Sequence, residues 1–314
     1  MSLARTLRLG TRGSPLARWQ AEWIAAELAN TGVQVELVSI ATQGDTQRGG
    51  AIGSLGAQGV FTKEIQRVLL DGTIDLAVHS LKDLPTDVVE GLMLAAVPPR
   101  ERPGDVLVSN TAKSLDELPE GARVGTGSLR RRAQLLHVRP DLQVQDIRGN
   151  VDTRLRKLDD GRYEAIVLAE AGLRRLGLDN RIGQSLSPRI LLPAVGQGAL
   201  GVEARENDAE VLEVLGRLDD AASRQAVLAE RSLLAALRGG CLAPIGAWAR
   251  PAETSAYGDA GLILTAVVLS SDGQARLEAA GEAPADEAET LGRRVADELV
   301  RQGARELIAQ SREL

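Results

Sequence analysis

The chain has 314 residues, 44% of them hydrophobic but only 2% aromatic, so a full core is available and must be built from Leu, Val, Ile and Ala. The 37 basic and 43 acidic residues leave a formal net charge of -6, which argues against a general nucleic-acid or membrane-surface role. The N-terminus carries no apolar signal run, no uncharged apolar stretch approaches the roughly 20 residues of a membrane span, and a single cysteine fits a reducing compartment, so a soluble cytoplasmic protein is expected.

Short apolar runs alternate with helical periodicity, the pattern of an α/β protein. Leu7–Leu9 reads as a strand. Ser14 then caps a helix with Pro15 at its first position, and Leu16, Trp19, Trp23 and Ala26 share one face. The next strand is predicted over 33–41. Gly49 to Gly59 holds five glycines, too many for a packed core, and reads either as a lid with Phe61 and Lys63 at its far end or as a connector. Further strands are predicted at 74–78, 106–108, 123–124, 144–147 and 165–168, with helices over 129–138 and 151–159. The proline-rich stretches Pro98–Gly104 and Pro193–Gly198 read as two crossings between lobes. A third unit starts near Ala221 with a helix leading to Cys241. A strand over 262–269, a turn at Ser271–Gly273 and a long terminal helix from about Pro284 complete it. The resulting division is 1–99 with 197–220, then 100–196, then 221–314.

Several segments can carry chemistry. Gly10-Thr11-Arg12-Gly13-Ser14 and Gly125-Thr126-Gly127-Ser128 each join a strand to a helix, and each would aim backbone N–H groups and a hydroxyl at one point, as anion sites do; each alone also reads as an ordinary capped helix. Lys82 and Asp83 follow a predicted strand, where ligands bind in open α/β sheets, or they form a surface ion pair. His79 reads as a satisfied histidine near the sheet end, because no second histidine or acidic cluster supplies a metal site. Arg130, Arg131 and Arg132 open a helix, against its macrodipole, which an anion there would offset; at most two of the three can share a target. Arg148, Arg154, Arg174 and Arg175 follow later strands, either converging on one cleft or forming a solvated basic face. Cys241, the only cysteine, stands between two glycines and Pro244, as a spectator thiol, a nucleophile or an attachment point.

Six stretches in order carry a resemblance to the porphobilinogen deaminase (hydroxymethylbilane synthase) family: Gly10–Ala17, Val78–Pro85, Gly125–Arg131, Arg148–Val151, Pro193–Ala199 and Gly239–Cys241. The part after about residue 250 matches only loosely. The resemblance implies an α/β fold of two periplasmic-binding-protein-like lobes with the active site between them, plus a small C-terminal α+β domain. It implies a transferase that condenses four porphobilinogens into hydroxymethylbilane with loss of ammonia, for haem, chlorophyll or cobalamin synthesis. It implies a dipyrromethane cofactor in thioether linkage to Cys241, porphobilinogen as substrate, no metal, and a monomer. By matching position, Asp83 is the catalytic carboxylate. Lys82, Ser80, Thr126, Ser128, Arg130 and Arg131 would bind the cofactor. Arg12, Ser14, Gln20, Arg148, Arg154 and Arg175 would bind substrate or the growing chain, with Phe61 and Lys63 in the lid. Gln58 stands where many members carry lysine, which leaves a cationic lid contact to Lys63 or Arg48.

The chemistry accounts for these residue types. Each porphobilinogen brings two carboxylates, and a charge-assisted hydrogen bond contributes roughly 1.5–3 kcal/mol, so a few arginines suffice for grip. Loss of the amine leaves an azafulvenium cation, which a fixed Asp83 carboxylate stabilises more than the neutral ring; the same carboxylate could help move the ring proton. A non-enzymatic binder of a small dianion would share the lobes and arginines but would leave Cys241 and the third unit without a role. A nucleotide enzyme is disfavoured, since no strand is followed by a complete dinucleotide or P-loop glycine pattern.

Overall fold

The computed structural model describes residues 5–41, 62–239, 243–252 and 261–311. The glycine-rich run 49–59, Arg48, Gln58, Phe61 and Cys241 lie outside the described residues. The chain divides into two compact units, Met1–Arg100 with Ala199–Arg224, and Glu101–Gly198 with Gln225–Leu314.

The elements in chain order are β1 (Leu7–Thr11), α1 (Pro15–Asn30), β2 (Val35–Ser39), α2 (Lys63–Leu70), β3 (Leu76–Ser80) and β4 (Leu92–Ala96). They continue with β5 (Asp105–Ser109), β6 (Arg123–Gly125), α3 (Leu129–Val138), β7 (Gln143–Gln145), α4 (Val151–Asp159), β8 (Ala165–Ala169), α5 (Glu170–Arg175) and β9 (Gln184–Leu186). Then follow β10 (Leu200–Arg205), α6 (Ala209–Gly216), α7 (Ala221–Ala236), β11 (Ile245–Pro251), β12 (Gly261–Leu269), β13 (Arg276–Pro284), α8 (Ala288–Arg301) and α9 (Ala304–Gln310).

The sheet of the first unit has strand order β2-β1-β3-β10-β4, and that of the second β7-β6-β8-β5-β9. The two follow one plan. Three parallel strands are followed by an antiparallel strand that pairs on both sides, β10 in the first and β5 in the second. The central strands are apolar on both faces because helices cover both, as parallel sheets require. Leu7, Leu9, Val78 and Val202 meet Ile24 and Leu28 of α1, while Ala77 and Ile74 meet Ile65 and Leu69 of α2. In the second unit, Val124, Val167 and Leu107 pack with Leu135 of α3, and Ile166 and Val108 pack with Leu155 and Leu158 of α4.

The second unit also holds the small C-terminal domain, a three-stranded antiparallel sheet β11-β12-β13 with α7, α8 and α9. Its core joins Leu233 of α7 and Leu237 just beyond it to Leu262 and Leu264 of β12 and to Leu291, Val295 and Leu299 of α8. Val267 and Leu269 reach Ala133 of α3 and Leu192.

The described structure corrects several expectations; the strand expected at 33–41 spans only Val35–Ser39, and that expected at 144–147 is Gln143–Gln145, ending before Asp146 and Ile147. The buried face of α1 is Gln20, Ala21, Ile24 and Leu28, not Leu16, Trp19, Trp23 and Ala26. The large aliphatics win the core, and the tryptophans stay half-buried at its edge. The strand expected at 74–78 runs from Leu76 to Ser80, although Ile74 and Asp75 are also buried. The terminal helix expected from Pro284 begins at Ala288, because Arg276–Pro284 pairs along its whole length with β12. It is then interrupted at Gly303, where φ is 101°.

One close approach sets the C-terminal packing. A Cβ on Gly292 of α8 would overlap the Ala229 carbonyl oxygen of α7 and lie 2.8 Å from Ser232 Cβ. Gly292→Ala is therefore expected to lower unfolding stability by about 1–3 kcal/mol, seen as a lower urea midpoint with an unchanged slope.

Candidate active site

In the first unit, β1 and β3 are parallel neighbours whose C-terminal ends open on the same side of the sheet. After β1 the chain turns through Arg12 and Gly13 into α1, where the Ser14 side chain accepts from the Ala17 N–H at 3.3 Å and Pro15 starts the helix. After β3 it makes a short 3-10 turn, Leu81–Asp83, whose Leu81 is buried and whose Asp83 is exposed. The Leu81 N–H is bonded to the Ala199 carbonyl at 3.0 Å, which pins that turn to the start of β10. Between the two turns lies a cavity of about 480 Å³, counting its open mouth, lined by Arg12, Ser14, Gln20, Thr62, Ser80, Asp83 and neighbouring apolar residues. Gln20 is buried and donates to Ser80 Oγ at 2.8 Å, so the α1 face ties directly to the strand end.

Thus Arg12, Ser14, Gln20, Ser80 and Asp83 line one cavity. Lys82 sits in the same turn as Asp83 but does not line it, and Lys63 opens α2 immediately after the cavity residue Thr62. Thr62 carried no sequence signal for a site.

In the second unit, the turn Gly125–Ser128 leads into α3. Ser128 caps it by accepting from the Arg131 N–H at 3.4 Å, and the Ser128 N–H donates to Thr126 Oγ1 at 3.2 Å. A Cβ on Gly127 would come within 3.0 Å of Asp146 Oδ1 and the Ile147 carbonyl, so the turn lies close against the end of β7.

The anion that offsets the arginines at the start of α3 is internal. Asp105, at the head of β5 and fully buried, lies 2.8 Å from Arg130 Nη1 and 2.7 Å from Arg131 Nη2. Arg131 Nη1 also donates to the Val167 carbonyl and Arg130 Nη1 to that of Leu192. Gln197 adds a donor to Asp105 at 2.9 Å and another to the Pro103 carbonyl at 2.6 Å. Arg132 turns away to the Val144 carbonyl, so two of the three arginines share one target, as helix geometry allows. Burial pushes the Asp105 carboxyl up, but the two guanidiniums outweigh it and hold its pKa near 2. Burial lowers that of Arg130, with Asp105 opposing. Two cations face one carboxylate, and Arg130 Nε is buried with no hydrogen-bond partner. The cluster thus retains positive charge and an unused donor.

The other predicted arginines of this unit do not join that cluster through any bond among the described residues. Arg148 is exposed and pairs with Asp146 at 2.9 Å. Arg154 Nε donates to the Gly149 carbonyl at 2.7 Å. Arg175 is buried and donates to the Gly198 carbonyl at 2.7 Å; burial lowers its pKa to about 10, with Glu101 opposing. Arg174 instead pairs with Glu170 and Asp179. Sequence reasoning missed Asp105 and Gln197 as partners of the arginine pair. The available signal was an acidic residue opening a buried strand directly after Pro103-Gly104.

Among the described residues no group of His, Cys, Asp and Glu could hold a metal ion, and no helix is long and apolar enough to cross a membrane. The first unit thus brings Arg12 and Asp83 to one cavity, and the second buries two guanidinium groups on one carboxylate.

Residues 7–213 match the family model described as porphobilinogen deaminase, dipyromethane cofactor binding domain, and residues 224–301 match the porphobilinogen deaminase C-terminal domain. A porphobilinogen deaminase of Desulforudis audaxviator is 50% identical over 312 residues, 99% of each chain. One of Rubrobacter xylanophilus is 50% identical over 96% of each chain, and one of Syntrophotalea carbinolica is 47% identical over 96% of this chain and 95% of that one. A solved methionine-binding protein aligns at a TM-score of 0.42 with 17% identity, over 73% of this chain and 93% of that one. The chain belongs to the porphobilinogen deaminase family.

Removing the buried carboxylate tests the arginine cluster. Asp105→Asn leaves Arg130 and Arg131 buried without a counter-charge, and a loss of about 3–5 kcal/mol in unfolding stability is expected. Because the folded pKa lies below the ordinary one, the stabilisation is complete above pH 3.8 and is lost as pH falls through about 2. Acid titration of stability should show the wild type losing it across that window, and Asp105→Asn should lack this component.

Proposed function

We propose that Asp83 is the catalytic carboxylate of a porphobilinogen-polymerising enzyme. The reading rests on one observation: five residues anticipated at dispersed positions, Arg12, Ser14, Gln20, Ser80 and Asp83, line a single cavity in the first unit. The family reaction condenses four porphobilinogens head to tail into hydroxymethylbilane, with loss of ammonia, in tetrapyrrole biosynthesis. The dipyrromethane cofactor, when bound, would supply the pyrrole end to which further pyrroles are joined.

The chain's own residues fit such a multiply anionic group. Arg130 retains a buried, unused Nε–H, and its cluster holds more positive than negative charge. In this proposal Arg130 and Arg131, with Thr126, Ser128, Ser80 and Lys82, take the cofactor's carboxylates, and Cys241 in the segment 221–314 carries the thioether. Arg12, Ser14, Gln20, Arg148, Arg154 and Arg175 take the carboxylates of porphobilinogen and of the growing chain, and Phe61 and Lys63 belong to a lid. Asp83 stands on a turn whose backbone is bonded to Ala199 at the start of β10, which supports a carboxylate already at the cavity before substrate arrives. A preplaced carboxylate stabilises the positive charge that develops on a pyrrole as its amine leaves, and does so more than it stabilises the neutral ring. The same reading has the chain acting as a monomer in the cytoplasm.

Asp83→Asn keeps the shape of the side chain and removes its charge. Turnover is expected to fall by about a hundredfold or more with an unchanged melting temperature; wild-type turnover in this variant removes Asp83 from the chemistry. Cys241→Ser should fold and give no colour reaction for protein-bound pyrrole after denaturation, and retained colour would place the attachment elsewhere.

A further inference from the structure

Behind the cavity of the first unit lies a polar group that the reading above does not use. His79, on β3, lines the same cavity as Asp83 and is 6% exposed. Its Nε2 lies 2.9 Å from Glu203 Oε2 on β10, off the line of an ideal hydrogen bond. Glu203 is equally buried, and its Oε1 accepts from Gln66 Nε2 of α2 at 3.0 Å. The register places Gly201 opposite His79 and Glu203 opposite Ala77, so the carboxylate and the imidazole are diagonal neighbours on one face of the sheet. Among the described residues no hydrogen bond engages His79 Nδ1. A packing histidine would not need a carboxylate carried into the interior, where such a charge is costly unless it is paired.

We propose that His79 and Glu203 form a proton-transfer pair for the condensation, an inference that rests on the assignment of this cavity to the chemistry. With the ring proton on Nε2, facing Glu203, Nδ1 is the acceptor. When the new carbon–carbon bond has formed, the pyrrole carbon loses its proton to Nδ1 and the C–H electron pair returns to the ring. The imidazolium then gives that proton to the amino group of an incoming porphobilinogen, which leaves as ammonia when its C–N bond breaks. One proton is taken and one returned per cycle, so no further reactant is needed. Glu203 from β10 faces the imidazole, and Arg12 from the turn after β1 and Asp83 from the turn after β3 line the same cavity; α2 brings Gln66, bonded to Glu203, and Glu64, whose Oε2 is buried.

The chain has two histidines, His79 and His137, so 15N-histidine labelling of the holoenzyme resolves both, and His137→Gln assigns them. The proposal expects His79 to carry its proton on Nε2, and Glu203→Gln to redistribute it. It expects His79→Asn to lower kcat by about a hundredfold with little change in KM, melting temperature or the mass of attached pyrrole, and Glu203→Gln to act in the same direction. Added imidazole should restore turnover to His79→Ala. A proton resident on Nδ1, wild-type kcat in Glu203→Gln, or a loss confined to KM or melting temperature overturns it. If His79→Asn does not fold, Glu203→Gln and the labelled wild type still decide. Asp83→Asn assayed alongside separates the two claims: its inactivity beside an active His79→Asn overturns the proton pair alone.

Discussion

Two guanidinium groups gathered on one buried carboxylate govern how the second unit is built. Arg130 and Arg131 stand at the start of α3, where the helix dipole opposes them, and Asp105 makes that placement tolerable. The same carboxylate receives Gln197, which also bonds Pro103, so the segments before β5 and before β10 are tied to the arginine pair. An apolar replacement of the trio would satisfy packing. What it would lose is a dry, positively charged point with a buried donor to spare.

The first unit solves a complementary problem. In the function proposed above, it supplies a carboxylate just beyond the end of a central strand. Asp83 stands exposed on a short turn that buried Leu81 and its backbone bond to Ala199 hold against the start of β10. Around it stand neutral donors and one arginine, and behind it the His79–Glu203–Gln66 group fills the space between sheet and α2. Preorganised charge acts without reorganisation at the moment of reaction, which is why such a site belongs on a strand end and not on a long loop.

Local chemistry made much of this legible in the sequence. Ser128 and Asn150 cap their helices, and α3 and α4 span the predicted residues because cap and apolar period coincide there. Ser14 and Pro15 likewise mark the start of α1, yet its buried face is Gln20, Ala21, Ile24 and Leu28, because periodicity alone leaves open which apolar stripe the core takes. The pairing of β13 with β12 was hidden because Arg276–Pro284 has few β-branched residues and draws its strand character from its neighbour. Site residues next to glycine turns were visible. Asp105, Gln197 and Glu203 were not, because each acts through partners 25 to more than 120 residues away, and no spacing rule reaches that far.

The account depends on a protein-bound pyrrole chain that lengthens while charge is steadied beside it. Intact mass after acid quenching, before and after porphobilinogen is added to freshly made protein, tests this most directly. The prediction is a dipyrrole adduct at the start and then a ladder of single pyrrole additions that disappears as product is released. Bare polypeptide throughout, with no ladder, would contradict it and favour a binding protein for small dianions.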